Sequence, residues 1–184
     1  NNDNDNYQEQ IYKKALKLGY DRSFLDQVFA NISLTEKHVI QDKGQFKERK
    51  FSEYYKNAVN KVKLKKASFL LHWHESLLRQ ISETYPVQPK YIIALWGIES
   101  NFGDLGGNFN VPDALFNLAY EGRRRGFFEQ EFFASLQLIK ENKMKPSDLK
   151  GSWAGAMGQC QFMPTTYLKY AVDFNEDGQK DIWH

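Results

Sequence analysis

Apolar residues recur at helical spacing along most of this 184-residue chain, while the strict alternation of a half-buried strand is scarce. That pattern restricts the chain to an all-α, or nearly all-α, architecture. Residues 11–18 form a short amphipathic stretch stopped by Gly19. Asp21 is placed to cap the next helix, in which Phe24, Leu25, Val28 and Phe29 fall at i, i+1, i+4 and i+5. Between 33 and 60 the chain is polar, with Phe46, Phe51, Tyr54, Tyr55 and Val59 irregularly spaced. Residues 53–85 carry one long helical pattern that Pro86 and Pro89 end. From about 127 to 140, Phe128, Phe132, Leu136 and Ile139 make an apolar stripe. Lys140 and Lys143 suit its C-terminal end, and Pro146 follows. The first six residues, all Asn or Asp, read as a flexible start without the apolar core of a secretory leader.

Within that frame one carboxylate stands apart. Pro89 can open a helix, since the first helical position needs no N–H donor. Ile92, Leu95 and Trp96 then precede Glu99 by seven, four and three residues and share its face. Gly103, Gly106 and Gly107 end the periodicity. A carboxyl on an apolar face loses hydration, which favours its protonated form. Glu99 is therefore a candidate general acid. The local pattern leaves a second reading open, a glutamate in solvent at a helix end.

A second segment has a different texture. Residues 151–164 are rich in small side chains, with glycines at 151, 155 and 158. Ser152 and Gln161 are placed to hydrogen-bond a polyhydroxylated ligand, and Trp153 and Phe162 offer apolar faces. A tightly packed loop is the alternative. Aromatic residues at 15% also suit both a core and sugar stacking. Arg123, Arg124 and Arg125 lie between two glycines, where guanidinium groups can orient carboxylates.

Residues 173–181 follow the start of a calcium loop. Asp173, Asn175, Asp177 and Asp181 occupy positions 1, 3, 5 and 9, Gly178 position 6, and Gln179 would lend its carbonyl at 7. Position 12 is His184 instead of a bidentate Glu, so either the closing carboxylate comes later or the loop is a metal-free turn. Other features carry less. His72 and His74 point to different sides of a helix, and Lys61, Lys63, Lys65 and Lys66 read as a solvated face. A formal charge of +2 gives no reason to expect a nucleic-acid partner. Cys160, the lone cysteine, excludes an internal disulfide and has no histidine nearby in sequence to activate it.

Several of these segments occur together in a set order: Gly97-Ile98-Glu99-Ser100, the Arg123-Arg124 pair, and Leu149-Lys150-Gly151-Ser152-Trp153-Ala154-Gly155-Ala156-Met157-Gly158. Gln161-Phe162-Met163-Pro164 follows, and then Tyr170-Ala171-Val172-Asp173-Phe174 leads into Asp177-Gly178. Together they resemble the lytic transglycosylase B family of murein-cleaving enzymes, strongly over residues 87–183 and more loosely before. The resemblance implies a lysozyme-like core, an N-terminal helical lobe and a partial EF-hand-like calcium loop. It divides the chain into a lobe at 1–86 and a catalytic core at 87–184 that ends before the family's last helices.

The resemblance also implies a reaction. Glu99 would protonate the glycosidic oxygen between N-acetylmuramic acid and N-acetylglucosamine. As a carboxylate it would then take the proton of the muramic C6 hydroxyl, leaving a 1,6-anhydro product without water. Ser152 and Gln161 match groove positions, and Arg123 and Arg124 match a basic pair suited to stem-peptide and lactyl carboxylates. Asp173, Asn175, Asp177 and Gln179 match the calcium loop, whose closing ligand comes later than in a twelve-residue loop. No cofactor is expected for the chemistry, and calcium would be structural. The partner would be peptidoglycan glycan strands, met by a monomer in the bacterial periplasm or envelope, with any lipid anchor outside these residues. A muramidase hydrolysing the same bond, or a non-catalytic glycan-binding fragment, are the competing readings.

Overall fold

In the computed structural model, which describes residues 2–35 and 50–184, the periodicity resolves into nine helices among the described residues. The first five are α1 (Asn2–Lys17), α2 (Arg22–Phe29), α3 (Phe51–Ala58), α4 (Lys61–Trp73) and α5 (Glu75–Thr84). They are followed by α6 (Pro89–Ser100), α7 (Val111–Glu121), α8 (Arg125–Glu141) and α9 (Pro164–Tyr170). The only strands among the described residues are β1 (Phe109–Asn110) and β2 (Lys150–Gly151), an antiparallel pair with Phe109 opposite Gly151. Phe46 lies outside the described residues.

Local chemistry explains most boundaries. The Asp21 carboxylate accepts the Phe24 N–H at 2.8 Å and starts α2. Pro89 is the first residue of α6, and Asn110 caps α7 by accepting from the Asp113 N–H at 3.1 Å. Two boundaries differ from expectation. Helix α1 begins at Asn2, so the polar start continues the helix; Tyr7, Ile11 and Ala15, spaced by four, are its buried stripe. The long pattern at 53–85 breaks into three helices. Asn60 turns the chain there, its side chain accepting the Lys63 N–H at 2.9 Å while Val59 stays extended. The second break, at His74, has no glycine or proline to announce it; the imidazole stands edge-on to Trp96 at 5.9 Å.

Two apolar clusters hold these elements. The larger gathers Tyr7, Ile11, Leu25, Val28 and Phe29 with the α7–α8 hairpin, and reaches Met157 and Tyr167. At its centre Phe116 meets Phe29 and Phe132 edge-on, with centroids 5.9 and 5.8 Å away. A buried carboxylate pins α9 to it: Glu131 accepts from the Thr165 N–H at 2.9 Å and the Thr165 hydroxyl at 2.6 Å. The smaller cluster is Leu78, Ile93 and Phe102, with Ala67, Leu70, Ile92 and Trp96 packed around it. Both clusters draw side chains from either side of residue 86, so burial crosses the division expected from sequence. No helix among the described residues is long and apolar enough to cross a membrane.

Candidate active site

Helix α6 has two faces with different jobs. Ile93, Gly97 and Ser100 are buried against the smaller cluster. Ile92, Leu95, Trp96 and Glu99 line a cleft of about 710 Å³, the grouping that the spacing predicts. The opposite wall is made of Gln159, Cys160 and Phe162 with Asp181, Ile182 and His184, and Ile81 closes one side. The face is apolar but open. Leu95 is 60% exposed and Glu99 is exposed beside it, at the helix end that meets solvent.

The end of α6 is built tightly beneath Glu99. Asn101, Phe102 and Gly103 have φ of 51°, 61° and 89°, three successive left-handed residues of which only the last is glycine. The glycines foreseen as the stop thus begin two residues late. Such backbone persists only when its surroundings over-determine it. Here the Phe102 N–H donates to the Trp96 carbonyl at 3.1 Å, and the Gly103 N–H donates to Ser100 Oγ at 2.9 Å. The Ser100 hydroxyl donates back to the Trp96 carbonyl at 3.3 Å. The Phe102 ring folds under the helix onto Gly97, where a Cβ would stand 2.6 Å from Phe102 Cζ. Gly97, Ser100, Phe102 and Gly103 therefore form one device that fixes the helix end carrying Glu99. Outside it, Asp104 accepts from Asn101 Nδ2 at 3.0 Å and pairs with Lys66 Nζ at 2.8 Å.

The Gly-rich segment supplies the facing wall, through residues other than those singled out first. Ser152 Oγ accepts from the N–H groups of Ala154 and Ala156 at 3.3 and 3.0 Å and so caps its own turn; its hydroxyl proton stays available to donate. Gln161 has φ 51°, and its Nε2 donates to the carbonyls of Gly158 at 3.0 Å and Gly106 at 3.4 Å. Neither residue lines the Glu99 cleft. Gln159 and Cys160 do; sequence reasoning assigned Gln159 no role and set Cys160 aside for want of a nearby histidine. Burial pushes the Cys160 thiol up, and the Glu99 carboxylate adds to this against hydrogen bonding from the Phe162 backbone. A thiol held protonated is a poor nucleophile.

Arg123 and Arg124 stand exposed at the α7–α8 junction and are not part of the cleft. The Arg124 guanidinium lies over Phe127, 4.3 Å from the ring centroid. The Arg123 N–H donates to Glu121 Oε2 at 3.0 Å. Arg125 turns inward, donating to the carbonyls of Ala119 and Tyr120 at 3.3 and 3.4 Å.

A second acid shares the cleft with Glu99. Asp181 Oδ1 accepts the N–H groups of Trp183 at 2.8 Å and His184 at 3.3 Å, and Oδ2 lies 3.0 Å from His184 Nδ1. Burial alone would raise this carboxyl, but those bonds to Trp183 and His184 outweigh it and hold it below the usual range. Both of its oxygens brace the 183–184 turn.

In the 173–181 loop, Asp173 accepts from the Asp177 N–H at 3.1 Å and the Gly178 N–H at 2.7 Å. Asp177 accepts from the Gln179 N–H and from Asn175 Nδ2, both at 2.8 Å. Gly178 takes φ 88° at the sharp turn. Two carboxylates, an amide and a backbone carbonyl are oxygen chemistry that fits a hard divalent cation. Among the described residues, however, no three His, Cys, Asp or Glu side chains converge to hold one.

Comparison with known proteins places the chain within a family. A family model described as Transglycosylase SLT domain matches residues 3–184. Membrane-bound lytic murein transglycosylase B of Escherichia coli (strain K12) is 29% identical over 191 residues, which is 98% of this chain and 53% of that protein. The crystal structure of SltB3 from Pseudomonas aeruginosa in complex with NAG-NAM-pentapeptide matches with a TM-score of 0.90 at 36% identity, covering 97% of this chain and 48% of the other. The Escherichia coli lytic transglycosylase Slt35 in complex with calcium gives a TM-score of 0.86 at 29% identity, covering 96% and 57%. The chain spans about half the length of the relatives it matches.

Proposed function

We propose, from the premise that this chain belongs to the transglycosylase SLT domain family, that it cleaves the β-1,4 bond between N-acetylmuramic acid and N-acetylglucosamine in peptidoglycan by lytic transglycosylation. The observation that carries this reading is Glu99, presented with Leu95 and Trp96 to the cleft on a helix end that the Ser100–Phe102 device holds rigid. The cleft's apolar wall suits the faces of sugar rings. Relatives in complex with NAG-NAM-pentapeptide and NAG-anhNAM-pentapeptide support the substrate class.

In this mechanism the protonated Glu99 gives its proton to the glycosidic oxygen as the bond to muramic C1 breaks. The resulting carboxylate takes the proton of the C6 hydroxyl as that oxygen bonds to C1. One group thus serves as acid and then base. No water is consumed, and the ring closes as the 1,6-anhydro sugar. Two-carboxylate hydrolysis needs a second acid to activate water or attack the sugar. Asp181 is the residue in the cleft that would have to do this, and its oxygens already serve Trp183 and His184. Stabilisation of the oxocarbenium-like transition state then falls to neutral dipoles and the substrate's own N-acetyl group.

Ser152 and Gln161 border the glycan beyond the immediate cleft in this reading. Arg123 and Arg124 take stem-peptide or lactyl carboxylates further along the strand. Asp173, Asn175, Asp177 and the Gln179 carbonyl would hold calcium, which would supply stability and no step of the chemistry. The place of action is the bacterial envelope, in keeping with a relative named as membrane-bound.

The test is mass spectrometry of fragments released from purified peptidoglycan. Products about one water lighter than hydrolysed muropeptides, lost in Glu99→Gln and kept in Asp181→Asn, are expected. Reducing ends that vanish in Asp181→Asn would establish the muramidase instead. Glycan binding without release in the wild-type protein would leave a binding module.

A further inference from the structure

Gln159 sits where the two walls of the cleft meet, and its amide has one arrangement available. The Trp96 indole Nε1–H donates to Gln159 Oε1 at 2.7 Å, and Gln159 Nε2 donates to the Trp183 carbonyl at 3.1 Å. An indole offers only a donor and a backbone carbonyl only an acceptor. The amide oxygen therefore faces Trp96 and the amide nitrogen faces Trp183. A carboxylate satisfies the first partner but not the second, and an apolar side chain satisfies neither. The Gln159 N–H also donates to the Ile182 carbonyl at 2.8 Å, so its backbone is fastened to the same segment. Gly158, at φ 67°, lets the chain approach Ile182 closely enough for this.

Trp96 is the object of the clamp. Its ring is held edge-on by Phe102 at 5.7 Å and His74 at 5.9 Å, and Gln159 fixes the remaining polar edge. Trp96 lies three residues before Glu99 on the stripe that lines the cleft. The reaction proposed above makes no use of Gln159.

We infer that Gln159 is a positioning residue: by fixing the Trp96 indole it sets the wall that brings a sugar's glycosidic oxygen to Glu99. The inference rests on the transglycosylase reading of this cleft. A shifted wall disturbs orientation in the transition state, and displacements of an ångström cost up to about a hundredfold in rate. Binding along the rest of the strand is little affected, so the loss falls on kcat and not on KM.

The experiment measures kcat and KM on murein glycan strands for Gln159→Leu, Gln159→Glu, Trp96→Phe and the Gln159→Leu/Trp96→Phe double variant. Gln159→Leu and Trp96→Phe are each expected to lower kcat about tenfold with KM within about twofold. The double variant should lose no more than either alone, and Gln159→Glu, which keeps the acceptor for the indole, should retain most of kcat. Unchanged kcat in Gln159→Leu, or losses that multiply in the double variant, would overturn the inference while leaving the transglycosylase reading intact. A wild-type protein that releases nothing would sink that reading instead. In either case the Trp96 indole N–H resonance, assigned through Trp96→Phe, reports on the clamp. It should move in Gln159→Leu while the Trp153 signal stays. An unmoved Trp96 signal overturns the inference, whatever the activity.

Discussion

Replacing Gly97 with alanine asks whether Phe102 or helix propensity governs the end of α6. In an open helix this change stabilises by roughly 1 kcal/mol. Here the new Cβ would stand 2.6 Å from Phe102 Cζ and 2.8 Å from Cε1, closer than carbon atoms approach. The ring has little room to yield. It is 7% exposed, Trp96 stands edge-on to it at 5.7 Å, and its backbone already occupies φ 61°. Overpacking of this kind costs about 1–3 kcal/mol. Taking the middle of that range against the propensity gain leaves a net destabilisation of roughly 1 kcal/mol. For a chain of this size that is about 2–4 °C in Tm. Phe102→Ala removes the obstacle, so in that background Gly97→Ala should recover the favourable roughly 1 kcal/mol. The coupling between the two sites is then about 2 kcal/mol, a size found for side chains in contact. Urea unfolding of the four proteins measures it. A Gly97→Ala protein more stable than its parent, or a coupling within about 0.5 kcal/mol of zero, would refute the reasoning.

Three further outcomes are expected. Glu131→Gln keeps an acceptor for the Thr165 N–H and turns its Nε2–H to the Thr165 hydroxyl oxygen, replacing two bonds to a charged group by neutral ones; a loss of about 1 kcal/mol in chemical unfolding is expected, and a neutral substitution would show that the clamp is replaceable. The Phe24 N–H, with Lys140 beside it, holds the Asp21 carboxyl below its ordinary range. Because its folded value is depressed, its stabilising contribution is present above the unfolded value and is lost as pH falls through the folded one. Melting curves of wild type and Asp21→Asn should therefore converge in acid and separate at neutral pH; curves that stay parallel would contradict this. Calcium should raise Tm and Asp173→Asn should abolish the rise, whereas loss of turnover on chelation with unchanged Tm would assign the ion a part in catalysis.

The nearly all-α architecture was legible in the sequence because its signals are local, while the lysozyme-like core was implied by the resemblance of the ordered motifs. Asp21 and Pro89 announce helix starts through their own hydrogen-bonding chemistry, and the stripe from Phe128 to Ile139 marks α8 by spacing alone. Spacing also placed Ile92, Leu95 and Trp96 beside Glu99. What escaped was tertiary. The break at His74 carries no local signal, and its imidazole meets Trp96, 22 residues away. Asp104 was the nearest acid in sequence to Glu99, but Asp181 is the one that shares its cleft. Ser152 and Gln161 drew attention as polar side chains among glycines, yet the backbone they support presents Gln159 and Cys160 to the cleft. Residue types reveal what a side chain can bind. Which partner it meets is decided by chain folding.

The two apolar clusters divide the cleft between supports of unequal strength. The helix bearing Glu99 is seated on three buried side chains, Leu78, Ile93 and Phe102, whereas the facing turn hangs from the large cluster through Met157 and Phe162. Free energies of local opening follow local burial. With rising denaturant, the small seat should therefore give way while the α7–α8 hairpin is still protected from hydrogen exchange. Activity would then fade before the bulk helical signal does, and a midpoint taken from that signal would overstate the conditions under which the protein can work.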